Sequence, residues 1–277
     1  SNVDAIINNS DPATFENTIV ALETAGETLG SVTGIFYNQL SAAGTDGLQA
    51  LAEEIGPVQA NFGSDIILNA ALFKKVKAVY DQRASLKLST EQNTLLEDTY
   101  RNFVRGGALL DDDKKAELRK INEEMSVLGP VFSNNVKKSS EVFELVLDQE
   151  SDLVGLPDTA IEGAKEAATE KGYDGKWLFT LDYPSFGPFI TFSQRRDLRE
   201  RVWKAFNNRA YKDKFDNTEN VFTIVKLRHR RAQLLGYATH ADFVLERRMA
   251  EKTERVMSFL HKLKDKYRNA ALQDLNE

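Results

Sequence analysis

The chain has 277 residues, 42% hydrophobic and 28% charged, enough to bury a sizeable core in one large domain or two small ones. Its 36 basic and 42 acidic residues leave a net charge of −6, with no block of like charge longer than a few residues, which argues against a nucleic-acid surface. The absence of cysteine removes disulfides, thiolate metal ligands and a cysteine nucleophile.

Ser1-Asn2 reads as the scar of a cleaved purification tag, so a natural leader preceding it is compatible with the sequence. From Phe15 the apolar positions Ile19, Leu22, Leu29, Phe36 and Leu40 step by three, four or seven, which predicts one long amphipathic helix. Asp11-Pro12 supplies its start, with the acid as N-cap and the proline at the first helical position. Further stripes follow at Leu48, Leu51, Ile55, Val58 and Phe62, then at Leu72, Val76, Val79 and Tyr80. Ser89 to Gln92 has the form of a capping box, and Gly106-Gly107 closes that helix after Arg105. Asp111 to Asp113 caps the next helix, where Leu118, Ile121, Met125, Leu128 and Phe132 predict one buried face. Pro57 and Pro130 fall inside these patterns and are expected to kink or split them.

The period changes in the middle of the chain. Residues 141–148 and 176–182 are short, partly alternating and rich in aromatic and β-branched side chains, and predict a small β ribbon packed on helices. Between them Leu156-Pro-Asp158 opens a helix running to about Glu170, followed by a turn at Lys171-Gly172. Beyond Pro184 two helices carry Leu198, Val202 and Phe206, then Val221, Val225, Arg228, Ala232 and Leu235, the second closed by Gly236. Thr239 starts a shorter helix. Thr253 is expected to cap the last, with Val256, Leu260, Leu263 and Tyr267 on one face and no stop signal before Glu277. The fold class is therefore mostly α. No apolar run reaches the roughly 18 residues of a membrane span, and the chain suits the cytoplasm or the periplasm.

Spacing alone assembles no catalytic constellation. The three histidines, His229, His240 and His261, are eleven and twenty-one residues apart, and no pair has the i, i+4 spacing of a helical zinc site. Gly106-Gly107 follows a helix and lacks phosphate-loop spacing, and Gly26, Gly30 and Gly34 suggest a small-residue helix-packing face. The arginines of residues 194–201 are interleaved with acids, which favours a solvated face of i, i+4 pairs over an anion site. No serine or threonine has the glycine flanks of a nucleophile elbow. No catalytic, cofactor-binding or metal-binding residue is assigned.

Five stretches nevertheless form a pattern. Residues 12–23 (PATFENTIVALE), 103–110 (FVRGGALL), 118–128 (LRKINEEMSVL), 192–200 (FSQRRDLRE) and 227–237 (LRHRRAQLLGY) with Met249-Ala250 resemble the N-terminal region of the thimet-oligopeptidase-like zinc peptidases. The likeness runs in order along essentially the whole chain and leans to the bacterial peptidyl-dipeptidases, which release C-terminal dipeptides; an oligopeptidase A-like endopeptidase is the near alternative.

The resemblance implies a parent metallopeptidase of two helical lobes flanking a deep channel. The zinc is held there by His-Glu-x-x-His on a helix beyond the counterpart of Glu277, and by a further glutamate. This sequence contains no His-Glu-x-x-His. The expectation is a piece cut at both ends: residues 1–140 helical, 141–183 strand-containing, and 184–277 helices leading to a catalytic domain. Such a piece forms one channel wall, holds no cofactor and is inactive alone. Its partners are short peptides, acting as substrates of the whole enzyme, and its uncovered surface favours self-association. A free-standing helical module that binds a peptide or protein is the rival from another class.

Overall fold

Helix dominates because this sequence repeatedly supplies a start signal, an apolar stripe and a stop signal. The computed structural model describes residues 2–276, so Ser1 and Glu277, which open the expected tag scar and close the helix-forming tail, lie outside it. Helix makes up 72% of the chain, as predicted, and the only sheet among the described residues has two strands.

In chain order the helices are α1 (Asn2–Asn8), a π-helical turn (Phe15–Val20), α2 (Ala21–Thr24), α3 (Glu27–Ala43), α4 (Asp46–Ile67), α5 (Ala70–Asp81), α6 (Thr90–Arg105) and α7 (Asp112–Glu141). Strand β1 (Leu145–Leu147), a 3₁₀ turn (Glu150–Leu153), α8 (Asp158–Glu170) and β2 (Trp177–Phe179) follow. The chain continues through α9 (Tyr183–Phe192), α10 (Arg196–Asn207), α11 (Thr218–Leu234), α12 (His240–Leu245) and α13 (Thr253–Asp274). It divides into two compact units, one of residues 1–127 with 224–277 and the other of residues 128–223.

The first unit is held by a cluster in which Ile19, Leu72, Val76, Val79, Leu96 and Phe103 are fully or almost fully buried. Each such side chain contributes about 1.5–3 kcal/mol through removal from water. Tyr80 and Tyr100 stack at 3.8 Å between ring centroids on its edge. A second cluster joins Leu68, Leu118, Ile121 and Leu234, with Leu227 and Leu235 packed against it.

The second unit is built on the ribbon. Strands β1 and β2 pair antiparallel with Leu145 opposite Phe179 and Leu147 opposite Trp177. Their buried side joins Leu153, Leu156, Phe189 and Val202 in one core. The helix predicted from Asp158 to Glu170 is present over those residues, and Lys171 follows as its C-cap.

Several expectations need correction. The long helix from Phe15 is interrupted at Ala25-Gly26, and its cap is Thr14 rather than Asp11. The Thr14 hydroxyl accepts from the Asn17 N–H at 3.1 Å while the Asn17 amide oxygen accepts from the Thr14 N–H at 2.8 Å. This reciprocal pair sits closer to the apolar run than Asp11, which precedes Pro12 and is thereby disfavoured in the helical region. Gly30 and Gly34 face open space rather than a packed helix.

Neither proline splits its helix. Pro130 leaves the Ser126 carbonyl without its usual intrahelical donor, and that carbonyl instead faces the close approach of Gly56 on α4, where a Cβ would come within 3.3 Å of it.

The first strand is shorter than expected because α7 continues through Glu141, and α9 and the 3₁₀ turn are additional elements. The stripe on α7 is buried only at its start: Leu118 and Ile121 are covered, Leu128 is half-buried and Phe132 is exposed. Thr253 is not the cap of α13. Lys252 holds that position without a side-chain bond, and the Thr253 hydroxyl hydrogen-bonds Asp242 Oδ1 at 3.2 Å.

Candidate functional site

The stretch from Leu227 to Ala250 folds as helix, glycine turn and short helix in the first unit. Apolar positions anchor it: Ala232 and Leu234 are buried, and Leu227 and Leu235 pack on the Leu118–Ile121 cluster. Gly236 then turns the chain at φ +86°, a conformation that costs other residues a steric penalty, and the Tyr237 N–H closes onto the Ala232 carbonyl at 2.9 Å. Thr239 starts α12 through a capping box with Asp242, which places His240 in the first turn and Phe243 one turn further along.

These elements are fastened from a distant part of the sequence. Arg105, the last residue of α6, donates to the Tyr237 hydroxyl at 3.0 Å and to the Phe243 carbonyl at 2.7 Å, and ion-pairs with Glu246. The Tyr237 hydroxyl in turn donates to Glu246 at 2.5 Å. The guanidinium also lies 4.6 Å from the centre of the Phe243 ring, and only 14% of the Arg105 side chain is exposed. The turn beyond Arg105 depends on Gly107, at φ +98°, where a Cβ would lie 2.7 Å from Leu118. The sequence reading missed this clasp. Its members are more than 130 residues apart, and their pairing leaves no local period or spacing to detect.

The remaining arginines of the stretch differ in their partners. Arg230 forms a two-pronged pair with Glu117 at 2.5 and 2.8 Å, which draws the Glu117 carboxyl below its ordinary range. Arg247 pairs with Asp98 at 3.0 Å. Arg231 has no carboxylate among the described residues. Its guanidinium lies 5.6 Å from the centre of the Phe243 ring, and its Nε is buried without a hydrogen-bond partner. Burial and then Arg228 lower its pKa. The Nδ1 of His240 is also buried without a partner, and burial, followed by Arg231 and Arg228, holds that imidazole below its ordinary pKa.

The histidines considered for metal binding are not brought together. His229 is exposed on α11, His261 is exposed on α13, and His240 lies in the positive field of Arg231 and Arg228. A divalent cation there would be repelled by Arg228 and Arg231, so these residues do not fit zinc. In the second unit Arg196 and Arg201 are exposed, Arg195 ties Asp152 and Asp197, and the i, i+4 pair on this helix is Glu200 with Lys204, not one made by the arginines of residues 194–201. No helix among the described residues is long and apolar enough to cross a membrane.

Residues 189–277 match the profile described as Peptidase family M3. The dipeptidyl carboxypeptidase of Escherichia coli strain K12 is 34% identical over 272 residues, covering 98% of this chain and 40% of that protein. The probable cytosolic oligopeptidase A of Arabidopsis thaliana is 31% identical over 92% of this chain and 37% of its own length. Oligopeptidase A of E. coli K12 is 28% identical over 99% of this chain and 41% of its own length. The chain is thus similar along almost its whole length to a dipeptidyl carboxypeptidase and to oligopeptidases A, matches the family M3 profile over residues 189–277, and spans about 40% of the length of the bacterial relatives.

Proposed function

We propose that this chain is the N-terminal, non-catalytic part of a zinc metallopeptidase that releases C-terminal dipeptides from short unstructured peptides. In this reading it forms one wall of the substrate channel. The observation that carries the proposal is the identity of 34% to a dipeptidyl carboxypeptidase over 98% of the chain, against 40% of the relative. Identities of 31% and 28% to two oligopeptidases A, against 34% to the dipeptidyl carboxypeptidase, support dipeptide release by a small margin over internal cleavage. The partition into residues 1–140, 141–183 and 184–277, the last leading toward the catalytic domain, belongs to the same proposal. So do the peptide substrates and a location in the cytoplasm or periplasm.

Zinc in the whole enzyme is then held by residues outside this chain. A catalytic zinc needs three protein ligands converging on one point, and the histidines here do not converge. The wall's contribution is steric: a narrow channel admits an extended peptide and rejects a folded domain.

The test has two parts. Reading the parent gene past the codon for Glu277 is expected to reveal His-Glu-x-x-His; a frame that stops there supports the free-standing binding module instead. The purified chain is expected to show neither tight zinc uptake in calorimetry nor cleavage of a quenched fluorescent peptide, while the full-length parent shows both. Stoichiometric nanomolar zinc binding by the chain alone, or chelator-sensitive cleavage, reverses the assignment of roles.

A further inference from the structure

We propose that Arg231, with Arg228 and His240, forms a seat for a carboxylate group carried by a peptide or protein partner. Local charge pairing is the starting point. Arg105, Arg230 and Arg247 each have a carboxylate, namely Glu246, Glu117 and Asp98. Asp242, the acid nearest in sequence to His240, is committed to Thr239 and Thr253. Arg228 and Arg231 have no acid among the described residues, although they stand three apart on α11, where like charges repel.

The geometry adds a second observation. Arg231 is partly buried, with the Phe243 ring beside its guanidinium and its Nε unsatisfied. His240 leans toward the same ring, 6.3 Å between centroids, and its Nδ1 is likewise buried and unsatisfied. A partly desolvated guanidinium without a counter-ion is costly, and so are unpaired buried polar atoms. An anionic group on the outward side of the guanidinium supplies the missing counter-charge. A planar carboxylate matches the guanidinium fork with two parallel hydrogen bonds, and Arg228, exposed one turn earlier on the same helix, adds positive charge. The residue retains some solvent exposure, so the group approaches from outside without opening the fold.

Acetate is the first probe, titrated into the chain at constant ionic strength with chloride as the exchanged anion. The readout is the His240 imidazole resonance, assigned with a His240→Gln variant. A saturable shift in the native chain, lost in Arg231→Gln and partly kept in Arg231→Lys, is the expected result. Arg231→Gln removes a poorly compensated charge and is expected to fold, which circular dichroism checks. Arg228→Gln, at an exposed position, provides a second variant and should weaken the acetate response severalfold.

Two peptides of equal length then distinguish the source of the carboxylate. One has a free C-terminus and no acidic side chain; the other has an amidated C-terminus and one glutamate. Saturable binding of either supports the seat and identifies the source. A response that chloride reproduces at equal ionic strength, that persists in Arg231→Gln, or that never saturates overturns the proposal.

Discussion

The Nη2 of Arg105 donates to the carbonyl of Phe243 at 2.7 Å, joining the end of α6 to the first turns of α12 across 138 residues of sequence. Because the same guanidinium pairs with Glu246 and reaches the Tyr237 hydroxyl, one side chain fastens residues 237–246 to the end of α6.

Replacing Arg105 with methionine keeps the aliphatic stem but strips three acceptors of their donor. The loss should cost about 1–3 kcal/mol, the usual range for a part-buried polar group left unsatisfied. Arg105→Lys should recover only part of it, since an ammonium cannot reproduce the fork. Urea denaturation followed by circular dichroism measures both; a methionine variant within about 0.5 kcal/mol of the parent would show the clasp to be energetically idle.

Two leucines on α7 test where its stripe is covered. Leu118 is 2% exposed, so Leu118→Ala should cost about 2–5 kcal/mol. Leu128 is half-buried, and Leu128→Ala should cost roughly 1 kcal/mol, nearer the centre of the distribution for ordinary substitutions. Equal losses in parallel denaturant melts would contradict the burial pattern.

His240 gives stability a dependence on pH. Burial and the two arginines lower its pKa from the ordinary 6.5, so the unfolded chain binds the proton more readily than the folded one. The stability it permits is fully present above that value and is lost as pH falls below it. Thermal melts from about pH 7 to about pH 5 should therefore show a steeper decline for the parent than for His240→Gln. Identical slopes would mean that His240 titrates as it does in the unfolded chain.

Under the reading proposed above, α13 is covered by the remainder of the peptidase. No described residue of α13 is buried, and Phe259 and Leu260 are 60% and 48% exposed. Clustered apolar groups of this kind favour association. The isolated chain should sediment faster as concentration rises, and changing Phe259 and Leu260 to glutamate should return it to a monomer. Monomeric sedimentation of the parent chain at high concentration would argue against an uncovered face.

The sequence by itself determined the features set within a few neighbouring residues. Ser89 and Gln92 form their reciprocal cap, Gly236 stops α11, and the change of period at residues 141–148 and 176–182 produces the two strands. The signal for each lies in a few neighbouring residues, so local reading finds it, although the strands then pair across about 30 residues. The five resembling stretches likewise carried the family relationship without any coordinates.

Tertiary structure alone decided which apolar stripes find a partner. Leu118 and Phe132 have the same periodic credentials, yet one is buried and the other exposed, because a stripe specifies a face and not what lies against it. It also decided which charges are matched. Arg230 and Arg231 are adjacent in sequence, but one meets Glu117 and the other meets the Phe243 ring and an unsatisfied imidazole. Successive helical residues point about 100° apart, so neighbours in sequence enter different surroundings, and only the packed chain assigns them.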